Sequence, residues 1–372
     1  MTESAFLLKD HINPHSIRFL SERISECHPD FPAESFIARA NSKLDTMALK
    51  ARISHLSESL AMVLPDDYSH NAKWLKQLAC NWPELDVAKG WHSFIAWPLI
   101  DFAGKQGMKQ PEIALDLLKT LTPLFTAEFA IRPYIEHHFD MTYHQLLQWC
   151  ANENAHVRRL ASEGLRPRLP WGGHLKQLQQ DPQPVLQVLE KLKDDPSRYV
   201  QKSVANNLND ISKDHPEQVL QTCRQWLKEA TPQRRWIIRH GLRSLIKAGE
   251  PAVFPLLGFS ENLDVEVEFA LDRWQVNIGE RVALQAVLCS SSTQKQSVVV
   301  DYRIWHVKAN GSRTAKVYKW KNLLLMPGKS LQLDKSHGFF ELTTRRYYAG
   351  THIIELLLNG NVKASAEFSL IV

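Results

Sequence analysis

Apolar residues recur at three- and four-residue spacing up to about residue 258, in short segments punctuated by Pro or Gly, as in SFIARANSKLDTMALKARISHLSESLAMVL and PEIALDLLKTLTPLF. That period fits amphipathic helices, with one face apolar and the other polar. From about Asp264 the period changes to two. The runs VEVEFAL, RVALQAVL, SVVVDYRIWHVK, TAKVYKW, KSLQL, THIIELLL and VKASAEFSLIV read as strands, and turn pairs such as Asn310-Gly311, Pro327-Gly328 and Asn359-Gly360 separate them. The pattern predicts a multidomain chain, with an α-helical domain over 1–258 and an all-β domain over 264–372.

Three helical segments resemble one another: AHVRRLASEGLRPRL, RYVQKSVANNLNDIS and RRWIIRHGLRSLIKA. They align on Leu165, Leu208 and Leu242, at spacings of 43 and 34 residues. A Pro or Asp precedes each second helix, and an Ala/Val/Ile/Leu stripe runs inside it, which is what two-helix HEAT-like repeats need in order to stack as a solenoid. Seven short strands in about 105 residues suit an immunoglobulin-like sandwich, with Trp305 as its expected core tryptophan. The usual disulfide between the sheets is absent, since this region holds only Cys289.

The length of 372 residues exceeds the usual size of one hydrophobic core, and 44% hydrophobic with 23% charged residues excludes a disordered chain. The start, MTESAFLLKDHINPH, carries acids and a proline where a secretory signal needs a basic patch and an apolar run. No stretch is apolar for long enough to span a membrane. The chain is therefore expected to be cytoplasmic, and nucleoid-associated if bacterial. Its five cysteines are scattered and odd in number, giving neither a disulfide framework nor a zinc pattern.

Charge is uneven along the chain. Residues 1–150 hold 14 basic and 18 acidic residues (−4), residues 151–258 hold 17 and 11 (+6), and residues 259–372 hold 14 and 11 (+3). The asymmetry points to a polyanion touching the middle and the end. A metal site is not expected: Pro14 separates His11 from His15, and the neighbours His137 and His138 would point apart on a helix. GxGxxG, GxxxxGK[ST], GxSxG and the helix-hairpin-helix glycine signature are all missing, so no nucleotide cofactor is expected.

ENAHVRRLASEGLRPRLPWG, at 153–172, resembles the AlkC-type DNA alkylation repair proteins, relatives of the AlkD-type HEAT-repeat glycosylases. FLLKDHIN near the start, PLFTAEFAIRPYIEHH at 123–138 and TTRRYYAGTHIIELLLNG near the end extend the likeness over nearly the whole chain. The resemblance implies a monofunctional glycosylase without a cofactor. It would release small cationic bases such as 3-methyladenine and 3-methylcytosine from duplex DNA and leave an abasic site. It also implies that no deep pocket for a flipped base is needed.

An alkylated base that already carries positive charge is a good leaving group, so the reaction needs no strong acid. A carboxylate beside the sugar remains useful, because it stabilises the oxocarbenium-like transition state and positions a water. Glu128 in TAEFAIRP, ahead of an expected helix break at Pro133, and Asp210 after NNLN are the candidates, and the resemblance implies the same two positions. An ordinary solvated helix position for Glu128, and a turn cap before Ser212 and Lys213 for Asp210, remain open.

In the LPWGG turn, Trp171 could lay its ring on a cationic base or a deoxyribose, although inter-repeat packing is the commoner fate of a tryptophan. Arg158, Arg159, Arg166 and Arg168 crowd one repeat, and Arg235, Arg239 and Arg243 recur every four residues. Together they predict a basic stripe for DNA phosphates, with a solvated helix face as the alternative. Arg345, Arg346 and Tyr347 lie between strands and could place a basic tip against DNA, or form a plain solvated turn. The remaining alternatives for the whole protein are a protein scaffold and a lesion-binding module without catalysis. A monomer is expected.

Overall fold

The computed structural model describes residues 7–83, 91–341 and 346–372. Contacts divide the chain into two compact units, Met1–Asp214 and His215–Val372.

Some helices of the first unit begin where the sequence supplies side-chain partners for their first amides. Asn13 Oδ1 accepts from His15 and Ser16 at 2.9 and 3.0 Å, ahead of Pro14. Asn154 accepts from His156 at 2.8 Å at the head of the helix Ala155–Glu163. Two helix pairs, Phe139–Trp149 with Ala155–Glu163 and Gln183–Leu192 with Arg198–Ile211, correspond to the first two repeats read from the sequence.

The second helices of these pairs pack on each other. Leu160, Ala161, Val204 and Leu208 are buried on them. Small polar groups set the register: Ser203 Oγ donates to Ser162 Oγ at 2.9 Å, and Asn207 Nδ2 to the Ser162 carbonyl at 2.7 Å. This pins Glu163, next to Ser162, and Asp210, one turn beyond Asn207, on facing helices.

The second unit opens on the third repeat, with helices Pro216–Leu227 and Pro232–Gly241, each carrying proline in its first turn, where a missing N–H costs nothing. Helices Arg243–Ala248 and Val253–Leu256 follow. Eight strands complete the unit: β1 (Val265–Leu271), β2 (Gln275–Asn277), β3 (Arg281–Ser290), β4 (Gln296–Val307), β5 (Arg313–Leu325), β6 (Ser330–Gly338), β7 (Gly350–Leu358) and β8 (Asn361–Ile371). One sheet runs β1-β3-β6 and the other β2-β8-β7-β4-β5. All seven expected strands form; the extra one, β2, is a three-residue strand parallel to β8. Asn359 and Gly360, at φ 47° and 79°, make the tight β7–β8 turn that the Asn-Gly pair signals.

Trp305 is not the core tryptophan that was expected. In β4 the buried set includes Tyr302, Ile304 and His306. Trp305 faces the other way and donates from Nε1 to Glu355 Oε2 at 2.9 Å, beneath the Arg303 guanidinium. The centre of the sandwich is filled instead by aromatic rings including Tyr302, Phe339 and Phe368.

Candidate functional site

Glu128 does not sit on a helix. It lies in a turn before the helix Arg132–His137, and Pro133 falls in the first turn of that helix instead of breaking one. The turn folds its carboxylate inward, leaving the residue 8% exposed. The Thr126 hydroxyl donates to Glu128 Oε2 at 2.7 Å and accepts from Arg159 Nη1 at 2.6 Å, and Arg159 also pairs with Glu128 directly.

From Arg159 an alternating series of charges continues inward. Arg159 Nη2 lies 3.2 Å from Glu163 Oε1, and Arg166 Nη1 lies 2.7 Å from that same oxygen. Arg166 Nε reaches Asp210 Oδ2 at 2.8 Å, and Lys213 Nζ approaches Asp210 Oδ1 at 3.3 Å. Asp210, 2% exposed in the last turn of its helix, caps nothing. Glu128 and Asp210, 82 positions apart in the sequence, are thus joined through Arg159, Glu163 and Arg166.

Glu163 is the residue that the sequence reading missed. Its signal was local: it stands four residues after Arg159 and three before Arg166, the spacings that meet on one helix face. Burial alone would raise its carboxyl, but the Arg159 and Arg166 guanidinium groups, with hydrogen bonds, hold it below the ordinary carboxylate range. Burial also opposes the charge on Arg159, yet Glu163 and Glu128 keep it firmly protonated.

A cleft of about 260 Å³ opens beside this series, lined by Phe94, Trp97, Phe125, Thr126, Glu128, Phe129, Glu163, Arg166, Leu169, Pro170 and Trp171. Trp97 stacks on Phe125 and Phe129, with ring centroids 4.9 and 5.4 Å apart, so one wall is a continuous aromatic surface. Two carboxylates and one guanidinium face the cleft, while Asp210 stands behind Arg166. Trp171 projects at its rim, 62% exposed, with a φ of 63°.

The arginines divide into two groups. Arg158, Arg159 and Arg166 are not part of an exposed stripe: they are largely enclosed, Arg158 by Asp195 at 2.6 Å and the other two by the carboxylates of the series. Arg168 is paired with Asp214 at 2.7 Å. The reason is electrostatic, since a guanidinium shielded from water needs a carboxylate to offset its lost hydration.

Arg235 and Arg239 are exposed. Arg243 does not extend their row, because the helix stops at Gly241; Arg243 opens the next one, half-buried, with Nη1 on the His240 carbonyl at 2.8 Å. Arg346 is exposed, its guanidinium 5.7 Å from the Tyr348 ring centroid, whereas Tyr347 is buried against Phe339 and belongs to the sandwich core. Arg345 lies outside the described residues. Among the described residues no group of three His, Cys, Asp or Glu is arranged to hold a metal ion, and no helix is long and apolar enough to cross a membrane.

Helical repeats that bring ionisable groups from distant segments to one aromatic-walled cleft, followed by an immunoglobulin-like sandwich, define a repeat-scaffolded protein with a small built site. Residues 125–245 match the family described as DNA alkylation repair enzyme, and residues 266–372 match the C-terminal Ig-like domain of uncharacterised protein YhaZ. The uncharacterized protein YhaZ of Bacillus subtilis (strain 168) is 35% identical, over 98% of this chain and 99% of its own. The structure of Pseudomonas fluorescens alkylpurine DNA glycosylase AlkC bound to DNA containing an abasic site analog matches with a TM-score of 0.84 at 37% identity, covering 99% of this chain and 100% of that one. The chain belongs to the AlkC-type family of DNA alkylation repair proteins.

Proposed function

We propose that this protein is a monofunctional DNA glycosylase that hydrolyses the N-glycosidic bond of small cationic N-alkylated bases, such as 3-methyladenine and 3-methylcytosine, in duplex DNA. The observation that carries the reading is the pair Glu128 and Glu163 in a cleft that also presents the rings of Phe94, Trp97, Phe125, Phe129 and Trp171 and the Arg166 guanidinium.

As the C1′–N bond breaks, its electron pair leaves with the base and neutralises the base's charge, while positive charge builds on the sugar. Glu128 and Glu163 are the negative groups that face such a sugar, in a site where water is largely displaced and electrostatic attraction is strong. Water then adds to C1′ and passes its proton to a carboxylate or to solvent, giving an abasic site. Asp210 holds Arg166, and through it Glu163, in place. Phosphates of the duplex are taken by the exposed Arg235, Arg239 and Arg346, and the Trp171 ring lies against the lesion nucleotide.

The cleft volume of about 260 Å³ falls just below the roughly 300–1,000 Å³ common for drug-sized ligands, which supports a small group as what it meets. The deciding experiment incubates the protein with methylated duplex DNA and separates released bases by chromatography. Release that survives EDTA and disappears in Glu128→Gln supports the reading. DNA binding without release would make the protein a lesion-binding module, and no DNA binding at low salt would make it a scaffold.

A further inference from the structure

Between the helices Ala155–Glu163 and Lys176–Gln180 the chain runs through residues 164–173 without regular structure, and this stretch supplies Arg166, Leu169, Pro170 and Trp171 to the cleft. Trp171 is held at its backbone by Lys50, whose Nζ donates to the Trp171 carbonyl, but its side chain has no such partner among the described residues. Its ring is mostly in solvent, and its positive φ is a conformation a non-glycine residue leaves readily unless its surroundings impose it.

What spans the stretch is one buried guanidinium. Arg132 Nη1 donates to the carbonyls of Gly164 and Arg166, each at 3.0 Å, and Nη2 donates to the carbonyl of Gly173. The two ends of the loop are therefore tied to a single planar group. Its contacts are carbonyl oxygens, while Glu136, Glu128 and Asp210 support its charge from further away. Burial draws its pKa down to about 10, which leaves it charged at neutral pH. Arg132 also follows Glu128 by four residues, directly after its turn, so it belongs to the segment that supplies Phe125, Thr126, Glu128 and Phe129 to the same cleft.

We propose that Arg132 is a positioning residue for base release: its guanidinium fixes the Trp171 turn at a set distance from the Glu128 turn, and so sets the width of the cleft. The inference rests on the glycosylase reading above. The planar fork divides the task between two nitrogens, Nη1 at one end of the loop and Nη2 at the other, whereas a lysine ammonium in its place would be a single point charge, more easily neutralised when buried.

The test combines hydrogen exchange with a double-mutant cycle. In Arg132→Lys, exchange should quicken several-fold over residues 164–175, where the Gly172 and Leu175 amides donate to the Leu169 and Pro167 carbonyls, and stay unchanged in the helix Pro111–Leu121. Equal quickening in both places would mean general destabilisation and overturn the proposal, as would no change in either.

Single-turnover base release should fall about tenfold or more in Arg132→Lys, the scale of a small misplacement, with DNA affinity nearly unchanged. In a Trp171→Ala background the same substitution should cost less than about twofold, because the group it positions is gone. Equal losses in both backgrounds, while the unaltered protein is active, overturn this inference alone. An unaltered protein that releases no base overturns the glycosylase reading as well.

Discussion

Arg166 reaches Asp210 with its Nε at 2.8 Å while its Nη1 holds Glu163 at 2.7 Å, so one guanidinium couples a carboxylate that faces the cleft to one that does not. All three side chains are nearly enclosed. In such an environment the arrangement is stable only while complete, because a buried charge left without its partner keeps its full desolvation cost.

Removing Arg166 should therefore be worse than removing either acid alone. Arg166→Met is expected to destabilise the fold by about 3–5 kcal/mol. In a urea titration of the two single variants and the double variant, adding Asp210→Asn to Arg166→Met should recover part of that loss. Strict additivity of the two would show that the contact carries no coupling.

Acid should weaken the site in a defined direction. The folded pKa of Glu163 lies below its ordinary value of 4.5, so its stabilising contribution is fully present above about that pH and is lost as pH falls through the folded value. Urea midpoints measured from pH 6 downward should drop more steeply in the unaltered protein than in Glu163→Gln. Parallel curves would remove Glu163 from the account of acid sensitivity.

Trp171 should show stability and function opposed. Glycine adopts a φ of 63° without strain, so Trp171→Gly is expected to leave thermal stability unchanged or to raise it by up to about 1 kcal/mol, while slowing base release. A clear loss of stability would mean that the ring is held by packing.

The two groups of arginines should separate in binding measurements. Arg235→Glu and Arg239→Glu are each expected to weaken DNA binding and to lower the slope of log affinity against log salt, by about 1 for each phosphate contact removed. Arg158→Met should mainly lower stability, because it strands Asp195. Unchanged salt slopes in the first two would take Arg235 and Arg239 out of the DNA contact.

Much of this architecture is written locally in the chain. The switch from helical to alternating period and the Asn-Gly turns locate the strands because those signals depend on neighbours within a few residues. The site was legible only in part. Arg158, Arg166 and Arg168 read as a basic face because their partners, Asp195, Asp210 and Asp214, lie 37, 44 and 46 residues further on, where no local pattern connects them. Trp305 misled for a different reason. β4 carries apolar side chains on both parities, in SVVV and again in YRIWHV, so alternation alone did not decide which set faces inward. Glu163 was within reach, since its two arginine partners stand four residues before it on its own helix and three residues after it, just past the helix end.

The claim on which the rest depends is that the carboxylates of the cleft act on the departing base's sugar and do not merely hold DNA. Single-turnover release of 3-methyladenine from duplex DNA by Glu128→Gln and Glu163→Gln, measured beside their affinity for DNA containing an abasic-site analogue, tests it most directly. The account predicts a rate lower by about a hundredfold with affinity changed by no more than a few-fold, since charge develops on the sugar only in the transition state. Loss of affinity matching the loss of rate, or full activity in both variants, would contradict it.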